Sequence, residues 1–222
     1  MTTASGQDTA PPAEAPHTIT VSSSATIDTT PDEAVITFSV RSEDAVSTTA
    51  PNESSRIMNA VIAAMKSLQV TERDMETQHI SVSPQTIDRG TPSESTIYAS
   101  STSLDVTIRD FDVIGPAIEK GVKAGATSVR GVKFQVSDPV EVHKRALRAA
   151  VENARAKADA LASAAGTSVT GVVRIREGGS PATPMPYLAR SQAYAASDAA
   201  LTVVPPRDIT TRVSVSVIWS VG

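Results

Sequence analysis

The chain has 222 residues and a net charge of −4 from 20 basic and 24 acidic side chains. It is long enough for one large domain or two small ones, and it has no positive surplus to hold a phosphate backbone, which excludes nucleic acid as the main partner. It contains 0 cysteines, which excludes disulfides, thiol nucleophiles and thiolate metal sites; aromatics are only 3%, so Val, Ile, Leu and Ala must build the core.

Residues 1–16 are rich in Pro, Ala, Thr and Ser, a composition that predicts a disordered lead. The first 18 residues lack the basic start and apolar stretch of an export signal. The sequence has no apolar run of about 18 residues, so no transmembrane helix is expected.

From residue 17 the chain alternates. Ile19, Val21, Ala25 and Ile27 share one side of a strand, and Ala34, Ile36, Phe38 and Val40 share one side of the next. The turn at Thr29–Asp32 predicts that these two strands form a hairpin. Residues 47–69 read as a helix with Ile57, Val61, Ala64 and Leu68 buried, and Pro51 is tolerable only in its first turn. A strand over 77–88 is expected to turn Ile80 and Val82 inward, with Pro84 marking a bulge or an edge position. A long strand over 95–109 follows. Asp110 or Asp112 then caps a second helix, which reaches Gly125 and buries Ile114, Ile118 and Val122.

Val132, Phe134 and Val136 mark a further strand. The clearest signal in the chain comes next. Pro139 stands behind the capping residue Asp138, and Leu147, Val151, Ala154, Ala158, Leu161 and Ala165 recur at helical spacing until Gly166 stops the helix. Val173 and Ile175 mark one more strand, and Val213, Val215, Val217 and Trp219 mark the last. The order is ββαββαβαββ. Strands that alternate have one covered face, which predicts an α+β fold of mainly antiparallel sheet with helices packed on one face. A doubly wound parallel sheet would need strands apolar on both faces.

A loop over 178–206 interrupts this order with Pro181, Pro184, Pro186, Pro205 and Pro206. Its Met185, Tyr187, Leu188 and Tyr194 are candidates for a partner or assembly contact, set against a plain surface loop.

Catalytic patterns are missing. His17, His79 and His143 have no metal-binding spacing and read as surface histidines. The sequence has no G-x-S-x-G elbow and no phosphate- or dinucleotide-binding glycine pattern. Glu72, Asp74 and Glu76 alternate around Arg73 and read as a solvated turn, since a hard cation needs six or more converging oxygens. On the long helix Lys144, Arg148 and Arg155 are interleaved with acids, Glu141–Arg145, Arg148–Glu152 and Arg155–Asp159 being (i, i+4) pairs, which marks a solvent-facing side. The reading therefore assigns no catalytic, cofactor or metal residue.

Several segments resemble the SIMPL-domain family. They are ITVSSSATIDTTPDEAVITFSV at 19–40, NAVIAAMKSLQVTERDMETQHISVSP at 59–84, TSLDVTIRDFDVIGPAIEKGVKAGATSVRGVKFQVSDP at 102–139, the long helix with its EGGS turn, and PMPYLARSQAYAA at 184–196. The resemblance covers 19–222 in order and implies one SIMPL-like domain over 17–222. It also implies a periplasmic, extracellular or envelope protein with roles in binding, assembly and stress protection, although the first residues leave the cytoplasm open. It supplies no catalytic residues. The expected function is non-enzymatic, through protein contacts and self-assembly as a homo-oligomer, with envelope or other proteins as further partners. A hydrolase built on carboxylates from separate loops and an intracellular signalling adaptor are the alternatives.

Overall fold

The computed structural model describes residues 17–178, 187–188 and 205–222. The strands are β1 (Thr18–Thr29), β2 (Glu33–Asp44), β3 (Met75–Ile87), β4 (Ser95–Ile108), β5 (Ser128–Gln135), β6 (Val169–Gly178), β7 (Tyr187–Leu188) and β8 (Ile209–Val221). The helices are α1 (Thr49–Lys66), α2 (Ile114–Lys123) and α3 (Pro139–Ala164). The expected order holds, with the two-residue β7 added. The fold is α+β with two sheets, ordered β1-β8-β6 and β3-β4-β2-β5-β7. The expected lead over 1–16 and most of the loop over 178–206 lie outside the described residues.

Two compact units are present, one within Met1–Ile27, Val140–Ala182 and Arg212–Gly222, the other within Asp28–Pro139 and Thr183–Thr211. The expected β1–β2 hairpin does not form. β1 pairs beside β8 in the three-stranded sheet, whereas β2 pairs antiparallel with β4 and β5 in the other. Alternation gave each strand a buried face but could not say which neighbour would share it.

In the larger unit, α1 and α2 cover one face of β2, β4 and β5. Phe38, Ile36, Phe134, Leu104, Val106, Met65, Val61 and Ile114 fill the space between. Pro51 and Pro116 both fall in first turns, where no helical donor is lost. Asp110 caps the 3₁₀ turn that leads into α2 by accepting from the Asp112 N–H. Both helices are rotated from the expected stripes. α1 buries Met58, Val61 and Met65, with Ile57, Ala64 and Leu68 only flanking. α2 buries Ile114, Ala117 and Gly121 and leaves Val122 exposed, because the sheet accepts a small residue there.

In the smaller unit α3 packs on β1 and β8, burying Val21, Ala25, Val215, Val217 and Trp219. Its buried line is Val142, Ala146, Ala150, Ala154, Ala158 and Ala162. Leu147 and Val151 flank it, and Leu161 and Ala165 point to solvent. An alanine line at every fourth residue lets backbone approach backbone, so the larger side chains stand at its margins. Gly166 (φ +74°) ends the helix, and the Thr167 N–H returns to the Ala162 carbonyl at 2.9 Å.

Candidate interaction surfaces

The uncharacteristic feature of the fold lies at its sheet edges. β3 is the outer strand of the five-stranded sheet, consistent with Pro84 within it. Ile80 stands opposite Thr102, and Val82 stands opposite Ser100, whose hydroxyl meets Ser54 of α1 at 2.8 Å. Directly opposed residues of an antiparallel pair point to the same side, so Ile80 and Val82 lie on the helix-bearing face. The expectation that they are buried nonetheless fails: Ile80 is 71% exposed and Val82 46%. α1 packs over β2 and β4, and β3 lies one strand further out.

The other sheet repeats the pattern. β6 is an edge strand, and Ile175 and Val172 stand opposite the buried Val217 and Trp219. Yet Val172, Val173 and Ile175 are about half exposed. Each unit therefore carries an apolar row that its helices leave uncovered. Period-two alternation identifies such a row as core-facing, but the reach of the helix layer is a tertiary property.

The opposite face of the five-stranded sheet is polar and holds a concavity of about 420 Å³. Glu76, Asp105, Thr37 and Arg130 form one row across β3, β4, β2 and β5, with the Thr37 hydroxyl donating to Asp105 at 2.5 Å. Lys133 lies opposite Val35 in the next row. Acid thus gathers at β3 and β4 and base at β5. A bulge produces this arrangement. The register slips between Ile36 and Thr37, so that Val132 and Val129 both face the core while Arg130 turns outward. The Val-Arg-Gly-Val spacing of 129–132 broke strict alternation and was the available signal. Arg73 also lines the concavity.

Asp74 borders this groove with its partners already in place. The Thr71 hydroxyl (2.6 Å) and the Arg109 guanidinium (2.6 Å) hold its carboxyl below the usual range against the opposing effect of burial. Arg109 also approaches Glu33 at 3.6 Å. A carboxylate stabilised in this way is a weak base and is not kept protonated as a general acid requires. At the start of β2, burial acts to raise Asp32, but the Ser137 hydroxyl and amide, its own amide and nearby Arg109 together hold it low.

Other expected positions disperse. Glu72 pairs with Lys66, Asp74 with Arg109, and Glu76 faces the groove, so the three acids of the 72–76 turn do not converge. Among the described residues no group of three or more His, Asp or Glu is placed to hold a metal ion. His17 and His79 are exposed, whereas His143 is largely covered and its Nε2 lies 2.9 Å from Glu177 on β6. On α3, Arg155 pairs with Asp159 at 2.9 Å as its spacing predicts, and Glu141 approaches Lys144 and Arg148. Of the candidate assembly residues, Tyr187 and Leu188 form β7, whose backbone pairs with Phe134 and Lys133. Met185 and Tyr194 lie outside the described residues.

Against known proteins, the family model described as SIMPL, protein of unknown function (DUF541), matches residues 19–219. The chain belongs to the SIMPL family. Among its relatives, a 26 kDa periplasmic immunogenic protein of Brucella melitensis is 32% identical over 182 residues, covering 80% of this chain and 72% of the relative. The uncharacterized protein YggE of Escherichia coli K12 is 25% identical over 183 residues, covering 82% and 74%. A YggE of Edwardsiella ictaluri is 24% identical over 188 residues, covering 84% and 77%. No helix among the described residues of this SIMPL chain is long and apolar enough to cross a membrane.

Proposed function

We propose that this SIMPL protein acts in the cell envelope through protein contacts, chiefly with copies of itself, and without chemistry of its own. The observation that carries the reading is the pair of uncovered apolar rows, Ile80 with Val82 on β3 and Val172 with Ile175 on β6. Soluble proteins blunt or cover their edge strands, and contiguous apolar exposure at an edge marks an interaction surface. The envelope location is supported by the relatives named periplasmic. The polar groove offers a carboxylate held ionised by Thr71 and Arg109, which favours binding over acid–base catalysis. Light scattering on the full chain at micromolar concentration tests the assembly. The expected mass exceeds one chain and rises with concentration; a constant monomer mass would overturn the reading.

A further inference from the structure

We infer that β3 pairs antiparallel with β3 of a second copy, about a twofold axis through Ser81. The inference rests on the self-assembly reading and names the surface that serves it.

Three observations lead to this register. First, the outer side of β3 has no strand beside it among the described residues. Its backbone therefore offers a row of unmet donors and acceptors. Second, its apolar residues flank a single position. With Ser81 on the axis, Ile80 stands opposite Val82 of the partner subunit, and Val82 opposite the partner's Ile80. Both pairs lie on the helix-bearing face, where the side chains are now exposed. Two copies would thus cover for each other the row that α1 leaves open.

Third, the rest of the register is free of conflict. His79 meets Ser83 of the partner subunit, Thr77 meets the partner's Gln85 and Glu76 meets the partner's Thr86, so no like charges are opposed. Pro84 has no N–H to give and falls opposite Gln78 of the partner subunit. Gln78 is the residue skipped where the β3–β4 register slips, so the missing donor coincides with an existing irregularity. The ladder is short, running from His79 to Ser83. The same operation on β6 fails. Centred on Ile175, it would oppose Arg174 to Arg176 of the partner subunit on both sides of the axis. An isologous contact has to be complementary to itself, and β3 meets that condition about its apolar row whereas β6 centred on Ile175 does not.

The chain contains 0 cysteines, so one substitution supplies a single thiol. Across the twofold axis the two Ser81 Cα atoms would be about 4.5–5.5 Å apart, within the span of a disulfide. The full chain carrying Ser81→Cys is oxidised gently at micromolar concentration and compared with Val173→Cys on β6. The expected result is a disulfide-linked dimer from Ser81→Cys at several times the yield of the control. Ile80→Lys, an exposed change whose fold circular dichroism verifies, is expected to lower the mass seen by light scattering, whereas Val173→Lys leaves it unchanged. If the unmodified chain assembles but Ser81→Cys links no better than the control, the β3 contact is wrong and self-assembly stands. If the unmodified chain is monomeric throughout, both fall.

Discussion

Gly121 of α2 faces the ring of Phe38 so closely that a Cβ at that position would collide with it, lying 2.7 Å from the ring Cδ1 and closer still to Cε1. Phe38 is fully buried at the centre of the larger unit's core. Two effects oppose each other in Gly121→Ala. Helix propensity favours alanine by about 1 kcal/mol, and forcing a methyl into a filled core costs about 1–3 kcal/mol. Phe38 is fully buried, so its ring can give way only by displacing packed neighbours, and the second effect wins. Urea unfolding of Gly121→Ala should show a net loss of about 1 kcal/mol. Gly131→Ala, where a Cβ would meet nothing within 4 Å, should change stability by less than about 0.5 kcal/mol. A neutral Gly121→Ala would show that the helix can move off the sheet.

The hydroxyls of Ser54 and Ser100 form a buried pair at 2.8 Å, and their two deletions should differ in cost. Ser54 also lies 3.1 Å from the Pro51 carbonyl, so Ser100→Ala leaves it with a partner. Ser54→Ala strands the Ser100 hydroxyl under the helix. An unmet buried hydroxyl costs about 1–3 kcal/mol, whereas a lost bond between satisfied groups costs about 1 kcal/mol or less. Ser54→Ala should therefore be the more destabilising, and adding Ser100→Ala should recover part of its loss. Thermal or urea melts of the two single variants and the double variant test the order.

Asp74 and Asp32 both titrate below the ordinary carboxylate range in the fold, Asp74 through the Thr71 hydroxyl and Arg109, Asp32 because burial, which raises it, is outweighed by the Ser137 donors, its own amide and Arg109 together. The sign follows directly. A carboxyl whose folded pKa is depressed contributes stability above its unfolded value, 3.8 for these groups, and loses it as pH falls through the folded value. Arg109 is 59% exposed, which keeps its share small. Asp74→Asn should cost about 1 kcal/mol at neutral pH, and the gap to the parent chain should close below about pH 4. A gap that stayed constant into acid would mean that charge plays no part in the contact.

Much of the secondary structure was legible in the residues, because alternation and helical spacing are local. Pro51, Pro116, Gly166 and the Pro84 edge position fell where their backbone limits required. What failed was information held by neighbours. Ile80 and Val82 point to the core-facing side as alternation says, yet α1 does not extend over them. Leu161 looked like stripe and is surface, because α3 packs through alanines and the closest line of approach belongs to the smallest side chains. The turn at 29–32 resembled a hairpin, but β1 and β2 go to separate sheets, a choice made by distant β8 and β4. The polar groove was hidden for a similar reason: Arg130 reaches it only through a bulge, and Glu76, Asp105 and Arg130 are neighbours only once three strands are in register.

Trp219 is the chain's 1 tryptophan and is buried in the smaller unit, with the Arg155 guanidinium 5.3 Å from its ring centre. Its fluorescence therefore reports on that unit, whereas far-ultraviolet circular dichroism reports on helices and strands of both. The two signals should give coincident urea transitions, as expected of one domain over 17–222. Separate transitions would divide it. Arg155→Met keeps most of the apolar stem and removes the charge. It should lower the fluorescence-detected stability by about 0.5–1 kcal/mol, more than Asp159→Asn, which disturbs only the exposed ion pair on α3. If Asp159→Asn cost as much as Arg155→Met, the stacking on Trp219 would contribute nothing.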